Sequence, residues 1–291
     1  MSKPLAIETR ELSKRFGSVR ANDGISLQVR AGSVHGIVGE NGAGKSTLLK
    51  MLFGFYQPDG GDILVDGEFA HFSNPAEAMA KGIGMVHQHF MLVEPFTVLE
   101  NIILGAEGSG NLEEAKAKAR VTLLELEEKF GFDLPLDKPV ENLPVGVRQR
   151  AEILKALYKG AEVLILDEPT AVLTPQECEQ LFELVKLLKG QGKTILFVTH
   201  KLHEIMATTD DVTVIRGGKI VAQRETANSS CEELAELMVG AKVSRTIERC
   251  GGATQTARLS LKNVSAFDDH GHRALKGINL SVVDGEVLGI A

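Results

Sequence analysis

The most constraining stretch of this chain is Gly39-Glu-Asn-Gly-Ala-Gly-Lys-Ser46, set between the apolar run Val34–Val38 and a helix-forming run at 47–52. A strand, a glycine-rich loop and a helix in that order aim successive backbone N–H groups at one point, because glycines let the chain curl tightly. The helix N-terminus adds the positive end of its dipole. Such a cradle suits phosphate. Lys45 would neutralise charge on the outer phosphates, and the Ser46 hydroxyl would ligate Mg²⁺. A glycine-rich turn that fits the pattern by accident would lack the strand before it and the helix after it.

Two more apolar runs, 163–166 and 194–199, also end at chemically loaded residues. Three such strand ends suit the carboxyl edge of a parallel sheet. Helical spacing lies between them: Leu112, Ala115, Ala119, Leu123 and Leu126, then Leu181, Leu184 and Leu188. Strands alternating with helices predict an α/β fold. The run 163–166 leads into Asp167 and Glu168. Asp167 suits an Mg²⁺ ligand, direct or through water, and Glu168 suits the base that polarises an attacking water. The end of the strand must redirect Glu168, since neighbouring strand residues point to opposite faces.

A net charge of −7 argues against a general nucleic-acid binder. No apolar run reaches the 18 or so residues of a membrane span, and the N-terminus lacks a signal-peptide core. Cys178, Cys231 and Cys250 are scattered and form no CxxC pair, which reads as reduced thiols and no zinc site. His87 and His89 flank Gln88 without a carboxylate or thiolate clustered beside them and are expected to be solvated or loop residues, and His203 a surface one.

An internal repeat sets the domain plan. The fifteen residues from Gly24 to Val38 align without a gap on those from Gly277 to Ala291, with eight identical. Upstream, Glu11-Leu-Ser13 matches Asn263-Val-Ser265 after one extra residue. The expectation is a first domain at 5–245, a linker at 246–257 and the N-terminal fragment of a second such domain at 258–291, truncated where its phosphate loop would begin.

These motifs in this order resemble the ATP-binding subunits of ABC transporters, over essentially all of residues 5–245. Asp167-Glu-Pro-Thr170 stands as that family has it. The resemblance implies a P-loop NTPase core with an antiparallel β subdomain and a helical insert at about 90–155. ATP would be held by Gly39, Glu40, Asn41, Gly42, Ala43, Gly44, Lys45, Ser46 and Thr47, with Phe16 stacked on adenine. Ser46, Gln88 and Asp167 would serve Mg²⁺. Glu168, His200 and Gln88 would be catalytic: His200, ending Ile195-Leu-Phe-Val-Thr-His200, on the γ-phosphate, and Gln88, in Met85-Val-His-Gln-His-Phe90, sensing the membrane subunit. A bland reading of Phe16 is a buried strand residue.

The family's signature, ideally L-S-G-G-Q, here reads Leu143, Pro144, Val145, Gly146, Val147. In the family each signature helix faces the phosphates held by the other domain's loop. Pro144 offers neither hydroxyl nor N–H, and Val145 adds bulk where backbone should approach phosphate. The defect therefore falls on the site shared with the second domain's loop. The usual S-A-L-D is Ala171-Val-Leu-Thr174, where Thr174, Pro175 and Glu177 read as a capping box with proline at N1.

The tandem layout, with the stretches 85–101 and 143–150, most resembles the fused ATP-binding subunits of importers for nucleosides and simple sugars, nucleosides foremost. It implies transmembrane permease subunits as direct partners, a solute-binding protein as an indirect one, and a peripheral place on the cytoplasmic membrane face. The segment 90–104 reads equally as a groove for a permease helix or as core of the helical insert. Two rival readings stand beside it: a soluble tandem ABC ATPase acting on the ribosome, disfavoured by the short linker and degenerate signature, and a regulatory ATP-binding protein without turnover, disfavoured by Glu168 and His200.

Overall fold

The computed structural model describes residues 4–88, 90–105, 111–241, 257–268, 271 and 273–290. The chain divides into two units, Met1–Val243 and Ser244–Ala291.

The first unit begins with β1 (Leu5–Phe16), β2 (Val19–Ile25), β3 (Gln28–Arg30), β4 (Val34–Val38), α1 (Lys45–Leu52), β5 (Gly60–Val65) and β6 (Glu68–Ala70). Next come α2 (Pro75–Ala80), β7 (Ile83–Val86), α3 (Val98–Ile103), α4 (Leu112–Phe130) and α5 (Val145–Tyr158). It ends with β8 (Val163–Asp167), α6 (Pro175–Gly190), β9 (Thr194–Val198), α7 (Leu202–Thr208), β10 (Asp211–Arg216), β11 (Lys219–Glu225) and α8 (Cys231–Val239). Strand ends and helix starts differ from the sequence expectation by a residue or two. Helix α1 starts at Lys45 rather than 47, since the loop winds directly into it; β8 runs on to Asp167 and β9 stops at Val198.

Two sheets form. One is antiparallel and runs β2-β1-β5-β6, with β3 also on β1. The other runs β11-β10-β4-β9-β8-β7 and is parallel from β10 to β7. Every residue of β4, β8 and β9 is buried, which explains why they read as unbroken apolar runs: helices or a second sheet cover both faces. Alternate residues feed two cores. Leu164, Leu166, Ile195 and Phe197 pack with Leu99, Ile102, Leu123 and Leu154 of the helical segment and with Leu181 and Val185 of α6. Ile37, Ile165, Leu196 and Val198 pack with α1, with Ile7 of the antiparallel sheet and with Leu27 between β2 and β3. The first core includes Val98, Leu99, Ile102 and Ile103, whereas Met91, Val93 and Phe96 are exposed. The segment 90–104 is thus core at its end and surface at its start.

The second unit contains the antiparallel pair β12 (Ala257–Phe267) and β13 (Arg273–Val283). Its backbone repeats β1 and β2 of the first unit in detail. Glu11 and Asn263 share a left-handed φ of 49° and 51°, and Gly24 and Gly277 one of 68° and 63°. The Gly24 N–H donates to Ser13 Oγ at 3.0 Å, and the Gly277 N–H to Ser265 Oγ at 3.0 Å. The stretch 287–290, aligned with Val34–Ile37 of β4, carries no regular structure. β4 owes its pairing to β9 and β10, which arise much later in the sequence, and no described segment plays that part for 287–290. The expected linker at 246–257 lies outside the described residues apart from its last position, as does Cys250. Cys178 and Cys231 are free thiols.

Candidate functional site

Four pieces of chemistry leave the carboxyl ends of four adjacent strands: the 39–46 loop after β4, Gln88 after β7, Asp167 and Glu168 at the end of β8, and His200 after β9. That edge is where open α/β sheets bind ligands. The residues 41, 42 and 44–47, with Gln88, Glu168 and His200, line one cavity of about 650 Å³.

The loop has a form only glycine allows. Gly44 sits at φ 108°, and a Cβ there would stand 2.3 Å from the Ala21 carbonyl oxygen. Gly42, at φ 81°, has no heavy atom within 4 Å of where a Cβ would point, so its backbone faces open space. Helix α1 has Gly44 at its N-cap with no side-chain cap and no acid in its first turn. Its N–H donors and dipole are thereby left to an anion. Lys45 Nζ donates to the carbonyls of Gly39 (2.7 Å) and Glu40 (3.0 Å), which fastens the cation inside the loop. Burial lowers the Lys45 ammonium below its ordinary range, while Glu168 and Asp167 pull it back up.

Asp167 is 7% exposed. Burial raises its carboxyl above the usual range, Glu168 beside it raises it further, and Lys45 and Lys50 oppose this. A divalent cation would remove that penalty. Ser46, Gln88 and Asp167 offer oxygens only, the donor set Mg²⁺ prefers, and no group of three or more His, Cys, Asp or Glu suited to a metal occurs among the described residues. The residues therefore fit a nucleotide whose phosphates complete the cation's shell.

Glu168 lies at φ +49°, a region that costs an L residue about 1–2 kcal/mol. This backbone breaks the strand alternation and swings the side chain toward the loop. Its carboxylate meets His200 Nδ1 at 2.9 Å. A carboxylate so held, lining the same cavity as the phosphate loop, is placed to accept a proton from water.

Several expected residues lie elsewhere. Gly39, Glu40 and Ala43 shape the loop from behind: the Ala43 carbonyl accepts the Gly218 N–H at 2.9 Å. Phe16 is not buried; it is 43% exposed, edge-on to Tyr56 at 5.2 Å, with Lys14 Nζ 5.7 Å from its ring centre. It does not line the cavity, although Val19 and Arg20, just beyond it, do. Those two, with Ala21, Gly217 and Gly218, escaped the sequence reading. Only the Gly217-Gly218 turn between β10 and β11 hinted at a close backbone approach. His87 lies in the loop after β7, as one of the two expectations had it, but it is half-buried rather than solvated: it packs edge-on against Phe53 and Phe55 at 6.0 and 5.6 Å, and burial lowers its pKa. His89 lies outside the described residues; His203 is exposed as expected.

Leu143, Pro144, Val145, Gly146 and Val147 do not reach this cavity. Pro144 is the N-cap of α5 and supplies no side-chain cap. The capping box at α6 is present, with both Thr174 and Glu177 bonds made and Pro175 at its start. Glu177 also uses its other oxygen to accept the Gly146 N–H at 3.2 Å. One of the few free donors at the start of α5 is therefore already taken by a carboxylate.

A family model described as ABC transporter matches residues 22–171, just over half of the chain. The chain is 43% identical, over its whole length, to the nucleoside import ATP-binding protein NupA of Lactococcus lactis. It is also 43% identical to the glucose import ATP-binding protein TsgD13 of Haloferax volcanii. It spans 58% of the length of each of these relatives. Among solved structures, the ADP conformation of an ATP-binding cassette of an ABC transporter superposes with a TM-score of 0.69 at 27% identity, covering 81% of this chain and 95% of the other. Phosphate loop, paired acids, glutamine and histidine at one sheet edge, in a fold shared with that cassette, place the chain in the ABC transporter family.

Proposed function

We propose that this chain binds MgATP and supplies the ATP-hydrolysing cassette of an importer for a nucleoside or simple sugar. The observation that carries it is the cavity in which the uncapped start of α1 and Lys45 face Glu168 bonded to His200. Residues 41, 42 and 44–47 would bind the phosphates, with Ser46, Gln88 and Asp167 toward Mg²⁺, which would draw charge from the phosphates. Phe16 would meet the base. Glu168 would take the proton of the attacking water, and His200 would hold Glu168 in place and reach the γ-phosphate. ATP closing a two-cassette sandwich, and hydrolysis opening it, would drive paired permease subunits. The chain would sit against the cytoplasmic membrane face, meeting a solute-binding protein only through the permease. No described helix is long and apolar enough to cross a membrane.

The hairpin that repeats β1 and β2 supports reading 258–291 as the beginning of a second cassette. A nucleoside is the favoured solute, a reading supported by the likeness to the nucleoside import protein NupA. The test is uptake of labelled nucleosides and sugars by cells whose copy carries Lys45→Ala. Uptake of one class should stop, and MgATP affinity should fall about a hundredfold as the phosphates lose their main charged donor. Unchanged affinity would remove the phosphate-loop assignment; lost affinity with all uptake intact would remove the importer.

A further inference from the structure

The left-handed backbone of Glu168 persists only if its surroundings over-determine it. The fastening is visible on both sides of the turn. The Glu168 N–H donates to the Val198 carbonyl at 2.8 Å. Gln149 of α5, 3% exposed, donates from Nε2 to the Pro169 carbonyl at 2.7 Å. The next residue, Thr170, donates its hydroxyl to Glu204 Oε1 at 2.5 Å. The other oxygen of Glu204 accepts the hydroxyl of Thr199, the residue before His200, at 3.0 Å. Lys201 closes the ring: its Nζ stands 3.2 Å from Glu204 Oε1 and donates to the Thr170 carbonyl at 3.1 Å. Glu204 itself is 8% exposed.

An acid in the first turn of a helix ordinarily serves the helix's own N–H groups. Glu204, in the first turn of α7, instead gives both oxygens to threonine hydroxyls on two different strand ends. We propose that Glu204 is a positioning residue: it ties the turn after β8 to the turn after β9, and so holds Glu168 and His200 within bonding distance. What that pair does rests on the proposed hydrolysis; the tie itself does not. Glutamine makes a weaker tie: its one carbonyl oxygen can take only one of the two hydroxyl protons with the geometry kept, while the other hydroxyl, already accepting from Lys201, would have to turn its proton away and accept the amide N–H on its second lone pair.

The test is hydrogen exchange of the 291-residue chain, read on short peptides, beside equilibrium titration with a fluorescent ATP analogue. Thr170→Val should speed exchange about tenfold at 168–171 and leave 199–201 as it was; Thr199→Val should do the reverse; Glu204→Gln should do both. Analogue affinity should stay within about twofold, because the phosphate loop is untouched. A spectroscopic reading separates positioning from general stability. Glu168→Gln should move the His200 ring resonance in the parent, and by less than about half as much in the Glu204→Gln background. If Glu204→Gln does not fold, the two valine variants decide. Parent-like exchange in all variants, or acceleration spread evenly over β8, β9 and α7, overturns the proposal. A parent chain that fails to bind the analogue refutes the proposed function instead and leaves the exchange result to decide this one.

Discussion

Single residues carry the chemistry here because each is held in an environment that water would not give it. Glu168 is the case in point: its side chain is largely buried, its backbone is left-handed and its carboxylate is bonded to His200. In a two-cassette chain Glu168→Gln should keep ATP affinity and lower kcat by roughly 10²–10⁴-fold, since an amide cannot take the proton; steady-state hydrolysis at the parent rate would remove Glu168 as the base. His35 shows burial acting on stability. It bonds Thr213 Oγ1 at 2.7 Å through Nε2, while its Nδ1 has no partner. Burial, chiefly, holds its pKa down at about 4. A base whose folded pKa lies below its unfolded value contributes stability that is complete above about 6.5 and lost as pH falls toward 4, up to roughly 3 kcal/mol. Glu152, pushed up to about 7 by burial, works in the opposite sense. Comparing urea unfolding of the parent and His35→Gln across that window cancels Glu152, and the variant should show the shallower acid slope.

At the scale of the element, helix ends decide more than helix middles. The start of α1 is bare, and that of α6 is closed by the Thr174–Glu177 box. Thr174→Ala should cost about 1 kcal/mol in urea unfolding. Glu177→Ala should cost more, because it also strips the acceptor from the Gly146 N–H on α5; equal losses would mean that the contact between α5 and α6 adds nothing. The box was legible in sequence because it is complete within four residues. The second job of Glu177 was not, because Gly146 lies on another helix.

For the whole molecule, the placement of residues 143–147 matters most. They lie outside the chain's own cavity, so in the proposed cycle completion of the γ-phosphate site would fall to a second cassette. Chain 1–291 should therefore bind ATP but hydrolyse it at least about tenfold more slowly per intact site than the same chain joined to a complete second cassette. Equal steady-state rates would overturn the cross-cassette argument. Self-association would offer only the Pro144 and Val145 version of the motif, which lacks the hydroxyl and one glycine.

Whatever closes over a short range was determined by the sequence alone. The phosphate loop follows from glycine sterics and helix-end polarity within a dozen residues, β4, β8 and β9 from unbroken apolar runs, the capping box from side chains three apart. The repeat was legible as matching residues in two stretches of the chain, but the left-handed backbone that Glu11 and Asn263 share was not. Only the tertiary structure decided what depends on segments distant in the chain. Strand order set Gln88, Glu168 and His200 around one cavity, the β10–β11 turn and the start of β2 supplied its far wall, and Glu204 met Thr170 and Thr199. The aligned stretches 34–37 and 287–290 separate the two cases. Three of their four residues are identical, yet one stretch lies in a buried strand and the other has no regular structure, because a central strand exists only where neighbours pair with it on both sides, as β9 and β10 do for β4.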